Sequence, residues 1–113
     1  MISELAKTND KLVMVSADLE DATRADYFKK TAPGRFFTMG IAEQDMIGMA
    51  AGLASEGFTA VTNSFAVFLT NRAYDQIRMD VCYNDLNVKL VATHAGVTVG
   101  EDGASAQCLE DLA

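Results

Sequence analysis

Glu43, Gln44 and Asp45 stand directly before an uncharged apolar run, Met46 to Ala54. Such a run reads as a helix buried on nearly all sides and entered through a carboxylate. An acid in that position has two uses. One is to complement the positive end of the helix dipole, worth about 0.3–1 kcal/mol, and acids are enriched in first turns for that reason. The other is a catalytic acid held in a closed site, where a carboxyl group can hold and pass a proton away from bulk water. Spacing alone does not separate the two.

Other chemistry-bearing residues fall where elements end. Asp18 follows the apolar run Leu12 to Ala17, and His94 follows Val88 to Thr93. Each run has the length and Val content of a buried strand, and the C-terminal ends of parallel strands face the ligand crevice of an α/β sheet. Each residue also has a plain structural use, as a turn Asp or a hydrogen-bonded loop His. Phe65 and Phe68 lie one helical turn apart, as a flat aromatic slot or as ordinary core. Arg72, Asp75 and Arg78 recur at three-residue spacing, which favours a local ion-pair cluster.

The elements that must position these residues can be read in order. A short helix covers about Ile2 to Thr8, and the first strand covers Leu12 to Ala17. Asp21 is placed to cap a helix over Ala22 to Lys30, which Pro33-Gly34 ends. Phe36 to Thr38 is a short strand. Gly40 opens the turn into the Glu43 helix, and Gly57 stops that helix. Gly48 and Gly52, four apart, favour close helix contact in a protein interface. Phe58 to Thr62 is a strand, Asn63-Ser64 a turn, and Phe65 to Tyr83 a helix. After a turn at Asn84 to Asn87, Val88 to Thr93 is a strand and Ala95 to Gly103 a glycine-bearing loop; Ala106 opens a further helix. This alternation predicts one α/β domain with a mainly parallel sheet between two helical layers.

Composition bounds the function. The formal net charge of −7 disfavours nucleic acid and anionic membranes, which call for basic patches. No apolar run approaches the roughly 20 residues that span a bilayer. No basic start and apolar core mark a secretory signal, so a cytoplasmic location is expected. Cys82 and Cys108 lack metal-ligand spacing and, with a single histidine in the chain, predict no zinc site; buried free thiols are expected.

Gly40-Ile41-Ala42-Glu43-Gln44-Asp45-Met46, Phe65-Ala66-Val67-Phe68, Arg72-Ala73-Tyr74-Asp75-Gln76-Ile77-Arg78, Thr93-His94-Ala95-Gly96 and Gly100-Glu101-Asp102-Gly103 resemble the transketolase family in content and order. The resemblance is to its pyrimidine-binding domain, most closely to the C-terminal subunit of split transketolases, and runs from about Val13 to the last residue. It implies a three-layer α/β/α thiamin diphosphate-binding fold and transfer of a two-carbon ketol unit between sugar phosphates. The cofactor supplies the reactive carbon, and the protein supplies orientation and proton control. The resemblance gives Glu43 the contact to the far ring nitrogen of the aminopyrimidine, and leaves Gln44 and Asp45 structural. It makes Phe65 and Phe68 the stacking pair and Ile41 a pocket-lining residue, and sets Asp18 near the cofactor. Arg72 closes the pocket rim or holds a carboxylate. His94 lies near the sugar phosphate, and Asp102 reads a donor hydroxyl.

Two departures from the family pattern shape the expectation. Ala106 stands where most relatives place a histidine, separated by two residues from Gly-Glu-Asp-Gly, that bonds substrate oxygen and assists proton transfer. The family's pyrimidine domain also continues past Leu112-Ala113, so the resemblance implies a domain incomplete at its C-terminus. The sequence has no Gly-Asp-Gly with a distal Asn for a metal-bound diphosphate, and no metal-ligating residue is assigned. The implied partner is a diphosphate-binding N-terminal subunit carrying magnesium, within a homo- or hetero-oligomer. The competing readings are a relative of deoxyxylulose-phosphate synthase, a 2-oxo acid dehydrogenase β-like subunit, and a non-catalytic interaction module.

Overall fold

The first strand shows why the sheet is parallel and covered on both sides. In the computed structural model, which describes residues 1–112, Leu12–Ser16 forms β1 with every residue buried. Strands buried on both faces read as unbroken apolar runs. β2 (Phe36–Thr38) pairs with one edge of β1 and β3 (Thr59–Phe65) with the other; β4 (Val88–Thr93) lies outside β3. All pairings are parallel and the order is β2-β1-β3-β4.

Alternation along β1 assigns its side chains to two cores. Val13 and Val15 join Met46, Ile47 and Ala50 of α3 (Glu43–Ser55) on one face. Leu12 and Met14 join Phe28 of α2 (Asp26–Thr31) on the other, beside α1 (Ile2–Leu5) and Ala6. The architecture is therefore α/β/α, as the alternation of elements predicts.

Gly40 enters α3 with φ +70°, a conformation open to glycine at little cost. At the far end the Gly57 amide bonds Ala54 O at 3.0 Å and the Phe58 amide bonds Leu53 O at 3.1 Å. With Gly57 at φ +84° this is a Schellman stop. The helix is not buried on nearly all sides. Met46, Ile47, Ala50, Ala51 and Ala54 face inward, whereas Gln44, Asp45, Gly48, Gly52 and Ser55 form an exposed stripe. Small side chains leave both faces apolar or neutral in sequence, so the inward face is set by the partner sheet rather than by pattern.

Five further expectations are corrected. Asn63-Ser64 is not a turn, because β3 is the central strand and continues through both residues to Phe65. Its neighbours hold it extended: Asn63 is in register with Ser16 and Val91, and its Oδ1 accepts from Ser16 Oγ at 3.2 Å. The stretch 66–82 is not one regular helix. It widens into π-turns over Phe68–Arg72 and Ile77–Cys82 around a short α4 (Tyr74–Gln76). Asp21 caps nothing. Residues 20–25 turn, Arg24 takes φ +62°, and α2 starts at Asp26. Ala106 ends a 3-10 turn (Gly100–Ser105) instead of opening a helix, because Gly96 and Cys108 exchange backbone bonds of 2.8 and 3.1 Å and fold the chain back. Cys108 is buried, but Cys82 is exposed. No helix among the described residues is long and apolar enough to cross a membrane.

Asn63 ties β1, β3 and the turn at Thr23, whose Oγ1 lies 2.9 Å from Asn63 Oδ1. Asn63→Leu keeps the shape but leaves the fully buried Ser16 hydroxyl without its acceptor, and should cost about 1–3 kcal/mol. Ser16→Ala in the same background should return part of that loss, since removing both partners is far less costly than removing one. Urea denaturation of the single and double variants measures both.

Candidate functional site

The residues singled out from sequence gather at the C-terminal edge of the sheet, as a parallel sheet requires. Asp18 follows β1, Phe65 ends β3, His94 follows β4, and Glu43 begins the helix that follows β2. How far each is fixed in place differs widely.

Glu43 is 1% exposed, whereas Asp45 in the same first turn is open to solvent. Asp45 thus has the ordinary setting of a dipole-complementing acid. Glu43 does not, because an ionised carboxylate withdrawn from water needs a cation or strong donors beside it. Arg72 is that partner. Its Nη1 donates to Glu43 Oε2 at 2.8 Å while its side chain stays 46% exposed. Arg72 therefore leaves the local cluster suggested by its spacing; Asp75 and Arg78 meet without it at 3.9 Å. Of the two uses open to Arg72, holding a carboxylate is the one it has.

The contacts continue outward from Arg72. Its guanidinium lies over the Phe68 ring, with Cζ 4.6 Å from the centroid, a cation–π placement. Phe68 and Phe65 are near parallel, at 5.9 Å and 11°. Phe65 stacks on His94 at 3.9 Å and 27°. His94, at φ +59°, has Nδ1 2.8 Å from Thr93 Oγ1. That hydroxyl occupies Nδ1 and leaves Nε2 as the ring nitrogen for another partner. A continuous row results: Glu43, Arg72, Phe68, Phe65, His94.

Ala106 is buried beside this row, in a cluster with Phe65 and Val99 that Leu19, Val67 and Phe68 complete. The other sequence candidates are not drawn in. Asp18 is exposed at φ +62°, and Ile41 is 77% exposed on the turn before α3. Asp102 is exposed on the 3-10 turn, where its backbone carbonyl accepts from Ser105 Oγ at 3.2 Å.

Sequence reasoning missed Ser64 and Thr93. Ser64 Oγ is buried without a hydrogen-bond partner among the described residues, on the α3 side of the sheet by alternation with Ala60. No local signal marks it, since Asn63-Ser64 reads as a turn; only as the penultimate residue of a buried central strand does this serine call for a polar partner. A cavity of about 460 Å³ lies elsewhere, on the α1–α2 face, lined among others by Met14, Phe28, Asn63 and Val91. None of the row lines it, nor the larger depression of about 490 Å³ beside Gly48 and Gly52 of α3.

Comparison with known proteins shows the family. The family model for the transketolase pyrimidine binding domain matches residues 1–113. A putative transketolase C-terminal section from Methanocaldococcus jannaschii is 54% identical over 110 residues, covering 97% of this chain and 35% of that protein. A 1-deoxy-D-xylulose-5-phosphate synthase from Natranaerobius thermophilus is 46% identical over 111 residues, covering 98% of this chain and 17% of that protein. A solved split gene transketolase, described as an inactive beta4 tetramer, superposes with a TM-score of 0.81 at 48% identity, covering 98% of this chain and 35% of that one. The chain thus spans about a third of the length of the first of these relatives and of the solved structure.

The row makes a spectroscopic prediction. His94 is the single histidine, so its ring protons identify themselves in a proton NMR spectrum. Stacked on Phe65 they should resonate upfield of free imidazole. Phe65→Leu should return them toward the free position and cost about 1–3 kcal/mol in stability. Unmoved His94 signals in a folded Phe65→Leu chain would rule out the stack.

Proposed function

We propose that this chain, which belongs to the transketolase pyrimidine-binding domain family, supplies the pyrimidine half of a thiamin diphosphate site for two-carbon ketol transfer between sugar phosphates. One observation carries the reading: Glu43 is a buried carboxylate set beside stacked aromatic faces, at the crevice edge of a parallel sheet. An aminopyrimidine ring needs an acid at its edge, a flat apolar surface against its face, and donors or acceptors for its remaining nitrogens. Glu43, Phe65 with Phe68, and the unpartnered Ser64 Oγ fit those needs.

When bound, thiamin diphosphate supplies the carbon nucleophile that splits the bond beside a ketone. The chain's residues then divide the work. Glu43 holds a proton between its carboxyl oxygen and the ring nitrogen, in a place that excludes water. Phe65 and Phe68 orient the ring by stacking, worth about 0.5–1.5 kcal/mol beyond burial. His94, with Nε2 free, addresses the sugar phosphate, and Asp102 a donor hydroxyl. Asp18 and Ile41, both exposed here, line the cofactor side once another surface covers them.

A partner subunit holds the diphosphate and magnesium in this reading, because the chain has no Gly-Asp-Gly motif for them. The solved split gene transketolase is described as an inactive beta4 tetramer, and the same self-association is proposed here. The exposed Gly48–Gly52 stripe of α3 is the face suited to it, since a Cβ at either glycine meets nothing within 4 Å in the single chain. A second reading, a deoxyxylulose-phosphate synthase-like activity, is favoured by the 46% identical synthase. A sugar phosphate donor against a 2-oxo acid donor separates the two.

Glu43→Gln, in a complex with a diphosphate-binding subunit, should fold normally and lose proton exchange at the thiazolium carbon. Exchange followed by NMR at an unchanged rate would sink the assignment. Ala106 sits where the family places a proton-transferring histidine, so Ala106→His should raise ketol transfer by up to about 10²-fold. That gain should appear only when the partner subunit, thiamin diphosphate and magnesium are all supplied. Turnover by this chain alone, or equal turnover with Ala and His, counts against the half-site reading or against the role of that position respectively.

A further inference from the structure

Arg72 engages the groups that the proposed function reserves for a ligand ring. Its Nη1–H donates to Glu43 Oε2 at 2.8 Å, and its planar guanidinium lies 4.6 Å over Phe68. A planar cation that donates an N–H to the buried carboxylate while stacked on an aromatic face has the recognition chemistry of a ring-protonated aminopyrimidine. The two are chemical equivalents toward the same wall. Glu43 is 1% exposed, so little of its carboxylate is open to a second partner while the pair holds.

We propose that Arg72 is a placeholder for the cofactor's aminopyrimidine: it neutralises Glu43 and covers Phe68 until the ring arrives, then swings out and cedes both. This rests on the proposed thiamin diphosphate reading. The means of exit are visible. Arg72 is 46% exposed, on the rim, and it ends a π-turn. Such widened turns recur at functional sites, where the irregular ladder eases local rearrangement. Asp75, three residues on, is paired with Arg78 at 3.9 Å rather than with Arg72. The pair also explains how a buried acid is maintained between cofactor occupancies: leaving Glu43 ionised without a cation would be strongly unfavourable.

The cost of such a device is affinity. If Arg72 covers Glu43 in nine of ten molecules, the apparent affinity for the ring falls about tenfold. The probe is 4-amino-5-hydroxymethyl-2-methylpyrimidine, which carries the ring without the diphosphate and needs no partner subunit. Titrated into the ¹⁵N-labelled chain, it should bind Arg72→Met about tenfold more tightly than wild type. Arg72→Lys, which keeps the charge but lacks the planar fork, should fall between. In wild type the Arg72 Nη1–H, identified by its loss in Arg72→Met, should exchange slowly with water and speed up as the probe saturates. Glu43→Gln should speed it up with no probe present, which tests the pair independently of any cofactor. Equal or weaker binding by Arg72→Met, or an Nη1–H unchanged at saturation, overturns the placeholder while leaving the cofactor reading intact. Binding to neither wild type nor Arg72→Met removes both together.

Discussion

A carboxylate withdrawn from water is the constraint on which this crevice is built. Glu43 opens α3 at a depth where nothing but a cation or a set of strong donors can keep it charged, and Arg72 is drawn to it from another element. Breaking a buried ion pair by deleting one member typically costs about 3–5 kcal/mol. The half-exposed Arg72 keeps part of its hydration, so the pair here lies below that range, nearer the partly screened case. Even so, the pairing dictates geometry. For Arg72 to reach Glu43, the chain must leave β3 at Phe65 and turn immediately into the widened helical stretch that carries Phe68 past the mouth of α3. The aromatic row therefore follows from the ion pair and the strand end together.

The central strand supplies the second half of that geometry. β3 runs three residues further than its apolar content suggests, because β1 pairs with it as far as Asn63 and β4 as far as Phe65. Extending a strand with Asn and Ser into a buried sheet is tolerable only if their side chains are met. Asn63 is met by Ser16 and Thr23. Ser64 Oγ is not met by any group among the described residues, and it lies on the helix face where Glu43 also stands. A buried orphan hydroxyl costs on the order of 1–3 kcal/mol, so its persistence at a crevice is easier to understand if a ligand satisfies it.

How much of this the amino-acid sequence discloses depends on whether a feature is local. The strand runs, Gly40, Gly57 and the start of α3 are local, and each was legible from residue type. The parallel sheet with helices on both faces was legible from the order of elements. Glu43 and the Phe65–Phe68 spacing could be picked out, as could a carboxylate-holding use for Arg72, although its partner could not be named. What failed was set by distant partners. Asn63-Ser64 has the composition of a turn, and only its two flanking strands make it extended. Ala106 has helical neighbours in sequence, but the Gly96–Cys108 pairing folds them into a return. The inward face of α3 is ambiguous because Gly, Ala and Met occupy most of its surface. Asp21 looked like a cap, but a positive φ at Arg24 delays the helix past it.

The candidates separate into two sets by how they are held. Glu43, Arg72, Phe68, Phe65 and His94 are each fixed by at least one contact to another member of the row. Asp18, Ile41 and Asp102 are exposed. Preorganisation is worth most for groups that must meet a ring of fixed shape, and least for groups that close over it afterwards. An inner wall set by the chain's own fold and an outer rim set by whatever docks on it is the division of labour that a shared site calls for. Ile41 makes the point most sharply. A large apolar side chain left 77% exposed beside a buried acid gains by being covered, and the turn that carries it also fixes Glu43. Covering the rim would therefore act on the acid through one short piece of backbone, Gly40 to Ala42, with no need for a longer route between partner and carboxylate.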